Sequence, residues 1–398
     1  MFSKKNVSDL AAVGGAPVFD QIRSTSNLVR PDFGKFLEYS TIFYEQHRYT
    51  NGGPVAKLLE QRLAAFHRTR YCVSFCSGFW ALVLTMKCLA VPDKTEIVMP
   101  SLTYRRMADL AAWVGLTPHF CEVDPATLGV TAEHAERSIT EQTALLLGVH
   151  PIVNNCDVDG LEKLSARTGI PLLFDSVESV YESYRGKKIG GFGRAECFSM
   201  HASKLVNGFE AGYVTTDDPE LAARLARMRA FGFCGEDNVE MLGMNAELNE
   251  VHAAMALAGM DDLPGQVDRN RARYRAYQQA FSGCPGIRLL EFDETEQTSF
   301  KNIVVELKDD WPLSRAETIK LLHAEKILVR PYYAPALHQK KTSYRTIFGP
   351  LPITEALVDK FLLMPCGHFV SEDDIFQTAA LMRFLFANAT EIKRRMPL

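Results

Sequence analysis

Several common signals are missing from this chain of 398 residues. No apolar run reaches about 18 residues, the length a membrane-spanning helix needs. The opening MFSKKNVSDLAAVGGAP has no long apolar stretch, so it does not read as a secretory signal. Positive charge is not in excess. Lys and Arg total 44 against 48 Asp and Glu, a net charge of -4, which leaves no basic field to attract nucleic acid. No CxxC pair occurs. The nine cysteines are odd in number, and Cys72, Cys76, Cys88, Cys121 and Cys197 lie in apolar runs. That spacing suits neither a disulfide framework nor a zinc site. They read as reduced core thiols of a cytoplasmic protein, with no metal expected. Internal repeats and low-complexity tracts are absent.

What is present is the composition of a soluble globular protein, 47% hydrophobic and 23% charged, in a chain long enough for two domains. Short apolar runs recur: YCVSFC, TEIVMP, TPHFCEV, TALLLGVH, IPLLFD and ECFSMH. Between most of them stand stretches with helical spacing, such as WALVLTMKCLA, AEHAERSI and DGLEKLSART, and VAKLLEQRLAAFH (55–67) precedes them. Strand and helix alternating at this interval predict an α/β fold, a mostly parallel sheet with helices on both faces. Residues 1–30 read as an irregular arm. Residues 251–281 read as one long helical stretch bent near Pro264. Beyond it, IRLLEF, KNIVVEL and ILVRPYY read as strands between the helices RAETIKLLHAE and EDDIFQTAALMRFLFANA. The expected division is therefore an arm and large domain over 1–262 and a smaller C-terminal α/β domain over 263–398.

Two segments carry the chemistry. PLLFDSVES (171–179) is an apolar run that ends in Asp175, as a buried parallel strand delivers a carboxylate to its C-terminal end. FSMHASKLVNGFEAGYVTT (198–216) holds Lys204 after a second such run. Alone, a loop lysine reads as a solvated charge and a strand-end aspartate as a cap or turn former. Together they are the two protein groups that pyridoxal 5'-phosphate requires. A lysine binds its aldehyde, and a carboxylate keeps its pyridine nitrogen protonated.

FSMHASKLVNGFEAG resembles the lysine motif FSFHxxKxxxxxEGG of the DegT/StrS family of pyridoxal-phosphate-dependent sugar aminotransferases. FDSVES is similar to that family's DxAH or DxAQ strand end. MPSLTYRRMADLAAWVGLTPHFCEVDPATLGV (99–130) and GMNAELNEVHAAMAL (243–257) match two further motifs. The resemblance runs from about residue 13 to about 380. It is strongest to the branch that aminates C4 of nucleotide-linked 4-keto-6-deoxyhexoses, of desosamine or viosamine type.

The resemblance implies a fold type I architecture, with Lys204 and Asp175 catalytic. Ser77, Gly78, Phe79 (main chain), Ser199 and Asn245 would hold the cofactor phosphate. Tyr104 would stack on its ring and Glu178 would stand beside it. Arg330 and His338 are weaker candidates for substrate binding. Asn245 would come from a second copy, which makes the protein a homodimer with shared active sites. The implied reaction moves an amino group, with L-glutamate the expected donor, to a keto sugar carried on a nucleotide.

Three positions depart from the family pattern. Glu178 stands where relatives have His or Gln, Glu247 where many have Arg or Lys, and Val153 where many have Gly. They are expected to surround Lys204, Asp175 and Ser199, with Glu178 either held protonated or paired with a cation such as Arg105, Arg106 or Arg330, or serving as an added acid or base. The departures keep two alternatives open. One is elimination, decarboxylation or oxidation of an amino acid or nucleoside-like substrate on the same scaffold. The other is a non-catalytic regulatory or binding protein of the DegT type.

Overall fold

A computed structural model describes residues 2–26, 28–235 and 238–395. The larger sheet has seven strands: β1 (Tyr71–Phe75), β2 (Glu96–Pro100), β3 (Thr117–Cys121), β4 (Thr143–Val149), β5 (Leu172–Asp175), β6 (Ala195–Ser199) and β7 (Gly212–Thr216). Their order across the sheet is β1-β7-β6-β5-β4-β2-β3. The β3–β2, β2–β4, β4–β5 and β5–β6 pairs are parallel, and β7 runs antiparallel to both of its neighbours. Every residue of β4, β5, β6 and β7 is buried. Such strands need cover on both faces, which is why they read as continuous apolar runs. On one face, Leu82 and Met86 of the helix Gly78–Leu89 share a core with Leu110 and Leu225. On the other, Leu59 and Leu63 of the helix Pro54–His67 pack with Leu161 and Leu257.

The second sheet is antiparallel: β8 (Ile287–Leu289), β9 (Ile303–Leu307), β10 (Arg330–Pro331) and β11 (Phe361–Met364), in the order β8-β9-β11-β10. The arm closes onto this part of the chain. Arg23–Ser24 pairs in parallel with Ile327–Leu328. Glu325 accepts the backbone N–H groups of Ala11 and Val18 and an ion pair from Lys4, a buried lysine.

Three details differ from the sequence reading. The stretch 251–281 is two helices, Glu250–Asp261 and Leu263–Phe281, broken at Asp262 so that Pro264 falls in a first turn, where its missing N–H costs nothing. ILVRPYY divides between the arm pair and β10. The helix Phe33–Glu45, capped by Asp32, follows the arm and turns Phe36, Tyr39, Ile42 and Phe43 to the core. Phe33, Leu37 and Tyr44 on it are exposed. All nine cysteines are unpaired. Among the described residues, no helix is long and apolar enough to cross a membrane.

Candidate active site

The parallel strands end on one edge of the large sheet, where open α/β sheets bind ligands. Ser77 follows β1, His150 follows β4, Asp175 ends β5 and Ser199 ends β6. A cavity of about 480 Å3 separates this edge from the second sheet. Ser77, Gly78, Phe79, Tyr104, Asp175, Glu178, Ser199, Lys204 and Arg330 all line it. Segments more than 250 residues apart in sequence thus meet at one place.

Ser77 caps the helix Gly78–Leu89, its Oγ accepting the Trp80 N–H at 3.3 Å. The N–H groups of Gly78 and Phe79 begin that helix and have no helical acceptor, and the helix end carries partial positive charge. Ser199 lies against the same turn. A Cβ at Gly78 would come within 2.8 Å of the Ser199 Cβ, and one at Gly212 within 2.4 Å of the Gly78 nitrogen. Glycine at both positions lets β7 and the end of β6 close on the helix start. The result is a cup of N–H and hydroxyl groups suited to an anion.

Asp175 is buried and accepts one hydrogen bond among the described residues, from the Val177 N–H at 3.1 Å. Burial pushes its carboxyl up to about 7, against the opposing pull of that N–H and of the Lys204 charge. A cationic N–H facing it from the cavity would supply what the chain leaves out. Two more cavity-lining groups are short of partners: the buried Thr103 Oγ1 and His150 Nε2 make no hydrogen bond among the described residues. His150 itself is stacked on Phe174, ring centroids 5.3 Å apart.

Lys204 stands in the loop between β6 and β7, and its Nζ donates to Glu178 Oε1. The other Glu178 oxygen accepts from Lys301 Nζ at 2.6 Å and Asn302 Nδ2 at 3.2 Å. Burial alone would raise the Glu178 carboxyl. The ammonium groups of Lys204 and Lys301, through charge and hydrogen bonds, outweigh burial and hold it well below the usual carboxylate range. Glu178 is therefore ionised and paired, but its partners are lysines and not Arg105, Arg106 or Arg330. Arg106 pairs with Asp109 at 3.2 Å. Arg105 and Arg330 line the cavity without a carboxylate partner among the described residues; the Arg330 guanidinium meets only Ser26 Oγ, at 3.4 Å.

Other expected positions fall elsewhere. Of the three departures, only Glu178 faces the cavity: Val153 is buried in the core, and Glu247 is not part of the lining. His338 also stays outside, its Nδ1 bonded to Ser101 Oγ at 2.7 Å behind the end of β2. Asn245 is exposed and outside the cavity of its own chain, beside a bridge to Ala230. Tyr104 lines the cavity and is 47% exposed. Among the lining residues not read from sequence are Thr25 and Ser26 of the arm, and Lys301 and Asn302 at the head of β9. The one signal for the last two was the polar start of the strand-like run KNIVVEL.

A parallel sheet edge, an anion cup, a buried carboxylate and a lysine on the next loop thus meet in one cavity. The chain belongs to the DegT/DnrJ/EryC1/StrS aminotransferase family, whose profile matches residues 35–383. It is similar to the solved structure of DesI in the presence of its TDP-sugar product, with a TM-score of 0.92 and 32% identity over 98% of this chain and 99% of that one. It is 32% identical over 343 residues, 80% of each chain, to the L-glutamine:2-deoxy-scyllo-inosose aminotransferase of Streptomyces fradiae. To the dTDP-4-amino-4,6-dideoxy-D-glucose transaminase of Escherichia coli it is 23% identical over 358 residues, 88% of this chain and 95% of that one.

Proposed function

We propose that this aminotransferase uses pyridoxal 5'-phosphate to move an amino group from an amino acid to C4 of a nucleotide-linked 4-keto-6-deoxyhexose. The observation that carries this reading is one cavity lined by Lys204, by the under-partnered Asp175 and by the anion cup. These groups fit the cofactor at three points. The N–H groups of Gly78 and Phe79 with the hydroxyls of Ser77 and Ser199 would hold its phosphate. Asp175 would bind the ring nitrogen, and Tyr104 would cover the ring face. Bound there, pyridoxal phosphate supplies an aldehyde to receive the amino group and a ring that accepts electrons.

The remaining work falls to side chains of this chain. Lys204 Nζ would be the amine that holds the cofactor and, as a free amine in the same place, the base for the proton on the donor's α-carbon. Arg105 and Arg330, cations without carboxylate partners in the cavity wall, suit a substrate diphosphate or a donor carboxylate. The division into an arm and large domain over 1–262 and a small domain over 263–398 puts the cavity between the two. A homodimer completes the site. The loop bearing Asn245 also presents Phe231, Phe233 and the 89% exposed Leu242, apolar surface that a second copy would cover. A chain with Lys204→Ala mixed with one carrying Asn245→Ala should then regain part of the lost activity. No recovery after verified chain exchange counts against the shared site.

A second reading concerns the acceptor, because the Streptomyces fradiae relative, at 32% identity, is named for an inosose. The test is a pair of half-reactions on the protein loaded with pyridoxal phosphate. L-Glutamate or L-glutamine should bleach the visible absorbance, and a dTDP-linked 4-keto-6-deoxyhexose should restore it. Restoration by 2-deoxy-scyllo-inosose alone selects the second reading. An amino acid consumed without any ketone restoring the colour sinks both.

A further inference from the structure

Among the described residues, Glu178 is the one carboxylate in the cavity wall that bridges two ammonium groups. One lysine comes from the large sheet, Lys204 on the loop after β6. The other comes from the second sheet, Lys301 at the head of β9. Lys301 is 5% exposed, and its ammonium donates to nothing else among the described residues. Glu178 is thus its counter-charge, and neither charge is stable there alone.

The surrounding groups hold their charge states over the working range. Tyr333 and Cys366 line the same wall from the second sheet, with Tyr332 buried behind them, and burial raises each, so their protons stay on. Burial lowers His150 to about 3, so it stays neutral. The charges that meet at this point are therefore Glu178, Lys204 and Lys301; Asp175, raised to about 7 by burial, would be charged once a cationic ring nitrogen faced it, and Arg105, Glu210 and Arg330 line the rest of the cavity.

We infer that Glu178 is a positioning residue that favours a positive charge on the Lys204 nitrogen, and that Lys301 limits the effect by sharing the carboxylate. This rests on the cofactor assignment to Lys204. The argument is one of charge balance. With Glu178 neutral, the cofactor-bearing nitrogen would face the buried Lys301 ammonium with no anion between them, and its positive form would be disfavoured. With Lys301 neutral, Glu178 would belong to Lys204 alone, and the positive form would be favoured more. Removing either partner must therefore act with opposite sign. A carboxylate that merely packs the turn predicts no such pattern.

The test is the pH midpoint of the visible absorbance of the loaded protein, measured for the parent, Glu178→Gln, Lys301→Met and the double variant. Glu178→Gln should lower the midpoint by about one to three pH units, the range for losing a neighbouring opposite charge. Lys301→Met should raise it, and the double variant should fall between the single ones. An unmoved midpoint in Glu178→Gln, or shifts of the same sign in both single variants, overturns the inference. Should Lys301→Met fail to fold, the isosteric Glu178→Gln decides alone. Borohydride trapping and peptide mapping run on the same samples. A label on a lysine other than Lys204, or no bound chromophore, overturns the functional reading and this inference with it; a label on Lys204 with unmoved midpoints overturns only the inference.

Discussion

The two walls of the cavity are built by different means. The wall on the large sheet is made of strand ends. Asp175 and Ser199 are the last residues of β5 and β6, both are buried, and the parallel register sets Asp175 opposite Cys197, two residues before Ser199. The opposite wall is made of pieces brought from far along the chain: Thr25 and Ser26 of the arm, Lys301 and Asn302 before β9, and Arg330 on β10. Strand ends are fixed by the core beneath them, so they suit the groups that every turnover needs. Arm and loop-borne groups can change without disturbing that core, so they suit selection of the substrate. Glu178 belongs to the first wall by sequence and to both by contact.

The largest expected effect lies on the strand-end wall. Asp175→Asn keeps the shape of the side chain but removes the charge that would hold the ring nitrogen protonated. Turnover should fall by about 10²- to 10³-fold, the scale for removing one preorganised electrostatic partner. The loss should be alike for donor and acceptor half-reactions, with the cofactor still bound by the anion cup. Stopped-flow measurement of each half-reaction checks this, and a loss confined to one half-reaction would break the distinction between the walls.

A smaller effect is expected opposite. Arg330→Ala should raise KM for a diphosphate-bearing acceptor about tenfold, the worth of one hydrogen bond to a charged group, and leave kcat nearly unchanged. The comparison sharpens if the free keto sugar shows no change in KM with the variant. A fall in kcat with KM held would mean that Arg330 serves the chemistry and belongs with the strand ends.

The same division decides what could be read from sequence. The end of β5 at Asp175 was legible because a buried parallel strand writes itself as an apolar run and its end follows, whereas Ser199 and the Ser77–Gly78 turn were named through the resemblance to the family's motifs. Lys204 was legible from the motif that follows such a run, in the loop beyond Ser199. The partner of Glu178 was not, since any of the 44 cationic residues can meet a carboxylate and only the packing of β9 against the large sheet selects Lys301. Glu247 and Val153 show the same limit from the other side. Both depart from a family motif, yet neither lines the cavity, because motif positions also serve the core and the loops around it. The helix Phe33–Glu45 was missed because exposed aromatic residues interrupt the pattern a one-sided helix would display.

The smallest expected effect concerns the cost of holding Asp175 in place before any cofactor arrives. Its ordinary value is 3.8, and burial lifts it to about 7 in the folded chain. Between those values the folded chain keeps a proton that the unfolded chain has released. Stability is therefore full below about pH 4, falls as pH rises towards 7, and remains lowered above it. An amide at this position does not titrate. In the cofactor-free protein, the melting temperature of Asp175→Asn relative to the parent should climb by a few degrees between pH 5 and pH 8. Glu182 and Glu196 are also buried carboxyls raised to about 7, but they are common to both proteins and cancel in the difference. Loading with pyridoxal phosphate should erase or reverse the gap, because a cationic ring nitrogen would then face the carboxylate and favour its ionised form. A difference in melting temperature that stays flat with pH would mean that Asp175 is already ionised at no cost in the empty cavity, and that the strand-end wall carries no strain for the cofactor to relieve.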